Sequence, residues 1–190
     1  MQILSLLFLL VPSVDGFGSS SRNRSAGSFI TMKVKKNAAT EHSSLYLPKN
    51  YNQQLYVDKL SDPKTELVIG VGPAGTGKTL FPCQEAVNQM INFDKKIVLT
   101  RPLVSVNEDI GFLPGNINSK MDPWVRPLLD ILEEFYSPPQ VEDLLRYKKV
   151  EIVPLGFMRG RTFKNSFIIG DEMQNTTPEQ LFMLLTRIGD

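Results

Sequence analysis

The chain has 190 residues, 42% hydrophobic and 22% charged, with a formal net charge of +1; it is long enough for one domain with a sizeable core. Near-neutrality excludes a large basic field for bulk binding of nucleic acid, so any such contact is local. One cysteine, Cys83, excludes an intramolecular disulfide and multi-thiolate metal sites, and one histidine, His42, leaves no companion for a triad or a zinc site.

The chain opens with the apolar run Ile3 to Val11, of about signal-peptide length and too short to span a bilayer. Small residues near Val14 and Gly16 offer a cleavage site, and the stretch from Gly18 to Thr40 is rich in Ser, Arg and Lys with no acidic residue. That is transit-peptide composition. In series, with Phe17 just after the cut, the two parts resemble the bipartite presequence of proteins sent to the plastids of algae with secondary plastids. No basic side chain precedes the apolar run and Val-Asp-Gly is an imperfect cleavage motif, which keeps a mitochondrial or a simple secretory signal as alternatives. Residues 1–46 are expected to be a disordered targeting leader and linker, and residues 47–190 the domain, with no membrane segment in the mature protein.

From Leu47 onward apolar runs alternate with amphipathic stretches. Gln53, with Tyr56 three residues on, lies in the first of these. An amide there can read an adenine edge with a donor and an acceptor together; the alternative is a solvated helix face. Leu67 to Val71 reads as a strand buried on both faces. It runs directly into Gly72-Pro73-Ala74-Gly75-Thr76-Gly77-Lys78-Thr79, which satisfies G-x-x-x-x-G-K-[ST] between a strand and a helix, the context that the motif requires. Its glycines let successive backbone N–H groups turn inward at a helix N-terminus, where phosphates sit. Lys78 then supplies a charge for the β- and γ-phosphates of ATP, and the Thr79 hydroxyl a ligand for Mg²⁺. In the helix that follows, Cys83 reads as a small buried hydrophobe, and Pro82 costs about 3 kcal/mol if it lies past the first turn.

Lys96 to Thr100 is the next strand, Trp124 to Phe135 a helix with Val125, Leu128, Leu129, Leu132 and Phe135 on one stripe, and Pro138-Pro139 a turn between two helices. Val150 to Val153 and Ser166 to Ile169 repeat the buried-strand signature. Strand and helix in alternation predict an α/β parallel sheet. The last strand leads into Gly170-Asp171-Glu172-Met173-Gln174. Asp171 suits a water-mediated Mg²⁺ ligand, Glu172 the orientation or deprotonation of an attacking water, and Gln174 contact with the γ-phosphate or its water. A final helix is expected from Pro178 to Ile188, capped by Thr177 with Gln180 reaching back, its Leu181, Leu184 and Leu185 facing the sheet and Gly189 ending it.

Taken together, Asn52-Gln53 with Tyr56, Val71 to Thr79, Leu99-Thr100-Arg101-Pro102, Gly111-Phe112-Leu113-Pro114-Gly115, Met158-Arg159-Gly160-Arg161-Thr162 and Asp171-Glu172-Met173-Gln174-Asn175 resemble the phosphate-starvation-inducible PhoH family of P-loop ATPases, related to superfamily-one helicases. The resemblance covers roughly Leu47 to Asp190. It implies a RecA-like P-loop NTPase sheet flanked by helices, Mg-dependent ATP hydrolysis in a homo-oligomer, and work on RNA, including association with an RNA-processing endonuclease. Arg101, Arg159 and Arg161 flank strand ends, where open α/β sheets place ligands, and are candidates for RNA phosphates or for an arginine finger. The alternative for each is an ordinary ion pair. Met173 stands where the family has alanine. The family also continues past the position of Asp190 into a strand with a Gly-Asp-x-x-Gln motif, so the domain is expected to be C-terminally incomplete, leaving the Leu67 and Phe167 strands without their shared central neighbour. Two rival readings are a nucleotide-binding fragment or subunit without turnover and a small-molecule kinase, against which Gln174 and the lack of a lid segment count.

Overall fold

The structure, a computed structural model, describes residues 5–10, 46–102 and 122–189. Four apolar runs are strands of one sheet: β2 (Leu67–Gly72), β3 (Lys96–Thr100), β4 (Val150–Ile152) and β6 (Ser166–Gly170); β6 is buried on both faces as such runs require, whereas β2 is corrected to a strand buried on one face only, with Leu67, Ile69 and Val71 exposed on the other. A fifth strand, β1 (Ser5–Leu10), comes from the apolar N-terminal run, and the order across the sheet is β2-β1-β6-β3-β4. β3 is parallel to β4 and to β6, whereas β1 is antiparallel to both of its neighbours.

The α/β parallel sheet flanked by helices is as expected, with one reversed strand in it. One further expectation is corrected: the position between β2 and β6, expected to stand empty, is taken by Ser5–Leu10. Within the stretch expected to be a disordered leader, these six residues form a strand. The physical reason lies in their composition: an uncharged apolar run without proline offers every backbone donor and acceptor, as a strand needs.

Side chains alternate across β3 and β6, and the two faces build two cores. Ile97, Leu99, Phe167 and Ile169 meet α2 (Leu80–Phe93), α3 (Asp122–Phe135) and α4 (Pro138–Arg146), with Leu60 of α1 (Tyr51–Ser61) in the same cluster. Val98 and Ile168 face the other way, toward Leu155, Met158, Met173 and Leu184 of α5 (Pro178–Leu185). Each fully buried Ile, Leu or Phe contributes about 1.5–3 kcal/mol by leaving water. In α3 the buried stripe is Val125, Leu128, Ile131 and Leu132; Leu129 and Phe135 pack at its margin.

Pro82 is the third residue of α2, inside the first turn; the bonds from the Phe81 N–H to the Gly77 carbonyl and from the Cys83 N–H to the Thr79 carbonyl bracket its missing N–H, and the Lys78 carbonyl left between them accepts from the Tyr56 hydroxyl. The expected penalty does not arise. Thr177 caps α5 and Gln180 completes the capping box, but the helix ends at Leu185 rather than Ile188. Ile188–Gly189 forms β7, parallel to β5 (Phe163–Lys164), so Gly189 is a strand residue and not a helix stop. Among the described residues no helix is long and apolar enough to cross a membrane. His42 and the Gly111 to Gly115 motif lie outside the described residues.

Candidate nucleotide site

The carboxyl end of β2 turns through Pro73 to Thr79 into α2, so the P-loop motif sits at a strand-to-helix junction. Gly75 and Gly77 both hold positive φ, at 76° and 86°. At Gly77 a Cβ would also come within 2.7 Å of the Phe81 ring, while at Gly75 nothing lies within reach. Pro73, Ala74, Gly75 and Thr76 form the exposed rim of the turn, and Gly72, Gly77, Lys78 and Thr79 lie deeper. Lys78 Nζ donates to the Pro73 carbonyl at 2.5 Å and the Thr76 hydroxyl donates to the same carbonyl at 2.9 Å. The loop is thereby cross-braced by its own side chains.

The sheet brings the second half of the site alongside. Asp171 follows β6, its N–H donates to the Thr100 carbonyl at the end of β3, and its carboxylate accepts from the Thr79 hydroxyl at 3.2 Å. Burial foremost, then the neighbouring Glu172, raises the Asp171 carboxyl above its ordinary value, while Arg101, the Thr79 hydroxyl and the Glu172 backbone N–H act in the opposite direction. Arg101 is thus an electrostatic neighbour of Asp171, half-buried at the strand end. A hydroxyl and a carboxylate in contact fit Mg²⁺, which keeps several waters and takes only one or two protein carboxylates. Among the described residues no group of three or more His, Cys, Asp and Glu gathers to form a closed cage. An ion held at Thr79 and Asp171 would neutralise phosphate charge.

Glu172 has left-handed backbone, φ 53° and ψ 33°, a conformation costing a non-glycine residue about 1–2 kcal/mol. It opens the three-ten turn Met173–Asn175, and the Gln174 amide donates to its carboxylate. Met173 is buried in the core under that turn, so its thioether fills space and its side chain takes no part in the site.

Gln53 and Tyr56 reach the P-loop from α1, which starts at the cap Asn50. The Gln53 amide nitrogen donates to the Thr76 carbonyl at 3.1 Å and its oxygen accepts from the Lys49 N–H at 2.7 Å, which leaves one N–H and one lone pair for a ligand. Tyr56 donates to the Lys78 carbonyl at 3.0 Å, and burial, with Cys83 and Asp171 adding, pushes its phenol well above the ordinary range. Between α1, β2 and the P-loop lies a cleft of about 500 Å³ lined by Asn50, Gln53, Tyr56, Ile69, Thr76 and Lys78 among others, within the usual range for small-molecule sites. Thr79, Asp171 and Glu172 are not part of its lining, whereas Lys78, next to Thr79 in the chain, is.

The three arginines separate. Arg161 donates to Glu151 at 2.6 Å and lies 4.5 Å over the Phe163 ring, so its guanidinium makes an ion pair and a ring contact within the fold, in keeping with the ion-pair alternative. Arg159 is exposed after the Leu155–Met158 turn. The sequence reading missed Gln84, a buried residue of α2 whose amide accepts from the Tyr46 N–H at 2.8 Å and donates to the Tyr46 carbonyl at 3.3 Å, fixing the start of the domain. An uncharged side chain without a motif carries no signal for such a contact.

The family profile of PhoH-like proteins matches residues 46–190. A PhoH-like protein of Synechocystis sp. is 44% identical over 153 residues, covering 80% of this chain and 46% of that protein. A PhoH-like protein of Bacillus subtilis is 46% identical over 142 residues, 74% of this chain and 44% of the relative, and Protein PhoH of Escherichia coli K12 is 41% identical over 140 residues, 72% and 39%. The chain thus spans less than half the length of these curated relatives. With the profile covering most of the chain and the motif residues folded around one strand-to-helix junction, this chain belongs to the PhoH-like protein family.

Proposed function

We propose that this chain binds ATP with Mg²⁺ at the P-loop and hydrolyses it, in work coupled to RNA. The observation that carries the reading is the Thr79 to Asp171 contact, because it joins two residue types that a magnesium–phosphate site needs across 92 positions of sequence. In this reading Lys78 leaves the Pro73 carbonyl for the phosphates, Gln53 and Tyr56 border the base, and Glu172 orients the attacking water with Gln174 beside it. Arg101, next to Asp171, suits charge on the γ-phosphate. Arg159 is exposed and suits RNA phosphate. A homo-oligomer and an RNA-processing endonuclease as partner follow from the family resemblance, as does ATP itself.

Binding without turnover is the second reading, favoured by the Gln174 amide already bonded to the Glu172 carboxylate. One experiment separates the two. Calorimetry and phosphate release on the full chain should show Mg-dependent ATP binding that Lys78→Ala abolishes, and turnover that Glu172→Gln stops while binding persists. Equal loss of binding in both variants overturns the assigned roles, and binding without phosphate release in the unmodified chain selects the second reading. A plastid location, with mitochondrion or secretory pathway as alternatives, is proposed from the leader composition alone. Residues 1–46 fused to a fluorescent protein should enter the plastid of an algal cell, and purely cytosolic fluorescence would sink that proposal.

A further inference from the structure

Between β4 and β5 the chain makes two tight turns in succession, each closed by its own hydrogen bond: the Phe157 N–H donates to the Pro154 carbonyl at 2.8 Å and the Arg161 N–H to the Met158 carbonyl at 3.1 Å. In the second, Arg159 at φ −58° and ψ 133° precedes Gly160 at φ 77°, as in a type II turn, whose third position suits glycine. Leu155 and Met158 anchor the segment, both fully buried in the second core. Phe157 lies between them and is 69% exposed, with Arg159 exposed beside it. A single exposed ring is ordinary on a protein surface; this one is set apart by its company. From Val153 to Gly170 the chain has Arg159, Arg161 and Lys164 and no carboxylate. The segment is also held at the carboxyl edge of the sheet, because the Leu155 N–H donates to the Arg101 carbonyl at 3.0 Å, one residue on from the Thr100 carbonyl that holds Asp171. Phe93 and Tyr147, also exposed, close α2 and α4 ahead of β3 and β4 and so flank the opposite edge.

We propose that Phe157 is a stacking platform for one base of a single-stranded RNA, with Arg159 on the adjoining phosphate. A contact that ignores sequence needs an aromatic face, which every base can cover, and a cation for the backbone. A duplex keeps its bases stacked on one another and offers no free face, so the platform selects single strands. With both turns closed by their own bonds, little ordering of the backbone is left to be done on binding. The whole chain carries only +1, so attraction has to come from a local run of cations of this kind. A protein partner would use the ring as an apolar contact and would accept leucine there, whereas a base needs the aromatic face. The inference rests on the RNA part of the reading above and adds to it the residue that holds the base.

The test uses the full chain with a short oligoadenylate carrying a fluorescent purine analogue, single-stranded or paired with oligouridylate. Quenching reports stacking and anisotropy reports affinity. Phe157→Ala should weaken binding of the single strand roughly five- to 150-fold and abolish the quenching, and it should leave the salt dependence as it was, because no charge is removed. Arg159→Ala should do the reverse, flattening the salt dependence while the bound strand stays quenched. Phe157→Tyr should keep both affinity and quenching, and Phe157→Leu neither. The duplex should bind more weakly than the single strand and be indifferent to Phe157. Single-strand affinity unchanged in Phe157→Ala, or retained in Phe157→Leu, overturns the platform and leaves RNA binding in place. If Phe157→Ala instead dissociates an oligomer in sedimentation with RNA affinity unchanged, the ring belongs to an interface between copies and the proposal also falls. No retention of the strand by the unmodified chain overturns the platform and the RNA reading together, whereas Phe157-dependent binding in a protein that releases no phosphate keeps the platform and rejects turnover alone.

Discussion

The ring of Tyr56 lies so close to Gly70 that a Cβ at Gly70 would meet the phenol oxygen at 3.0 Å. That oxygen also donates to the Lys78 carbonyl, so the absence of a side chain in the middle of β2 is what lets a helix residue brace the P-loop. Gly70→Ala should push the ring aside, and Tyr56→Phe should remove the hydroxyl alone and leave the Lys78 carbonyl unpaired, at about 1–2 kcal/mol. Thermal melts and nucleotide titrations of both variants check this. A Tyr56→Phe protein with unchanged stability and affinity would show that the contact braces nothing.

Gly75 and Gly77 make a matched pair. Alanine at Gly75 meets open space and bears only the left-handed backbone cost, about 1 kcal/mol. At Gly77 the same cost is joined by the contact with Phe81, whose ring must move out of the core, so an additional 1–3 kcal/mol or so is expected. Denaturation midpoints should fall further for Gly77→Ala than for Gly75→Ala. The reverse order would contradict the described loop.

The two arginines after β4 should part company. Arg161→Ala breaks the pair with the largely buried Glu151, and because the arginine is about two-fifths exposed the expected loss of stability is only about 1 kcal/mol. RNA retention should stay as it was. Arg159→Ala should leave the melting temperature unchanged and weaken RNA binding with a shallower salt dependence. A filter-binding series over ionic strength tests both, and RNA binding that tracks Arg161 instead would refute the assignment.

Cys83 is fully buried in α2, and burial foremost, with Asp171 adding, raises its thiol above the ordinary range. Thiolate, not thiol, reacts. A maleimide or iodoacetamide should therefore label native protein slowly and unfolded protein at once, and nucleotide should slow the labelling further. Fast labelling in buffer would mean that α2 opens locally.

Much of the site was legible in the sequence because its parts are contiguous: Gly72 to Thr79 between strand and helix, and Asp171-Glu172 at a strand end. Such signals survive without knowledge of the tertiary arrangement. Contacts across a turn or between distant elements left none, as with Arg161 and Glu151, or Gln84 and Tyr46. The Ile3 to Val11 run was ambiguous for a different reason. Apolar residues without charge suit a targeting segment and an interior strand equally, and only the pairing distinguishes them. The last helix was drawn too long because Ile188 continues the apolar pattern, although its backbone pairs with Phe163.

The reversed strand also sets a clock. Phe8 and its partner Gly170 lie 170 − 8 = 162 positions apart, so at about 5–20 residues per second β1 waits roughly ten to thirty seconds for its second edge. During that interval one of its two edges has no partner, which leaves an apolar segment open to capture by any factor that binds such segments. Among the described strand pairings this one spans the most sequence, which makes it a late and slow event. Capture of β1 and its pairing with β6 are thus competing fates of one segment, separated by the time that the intervening chain takes to be made.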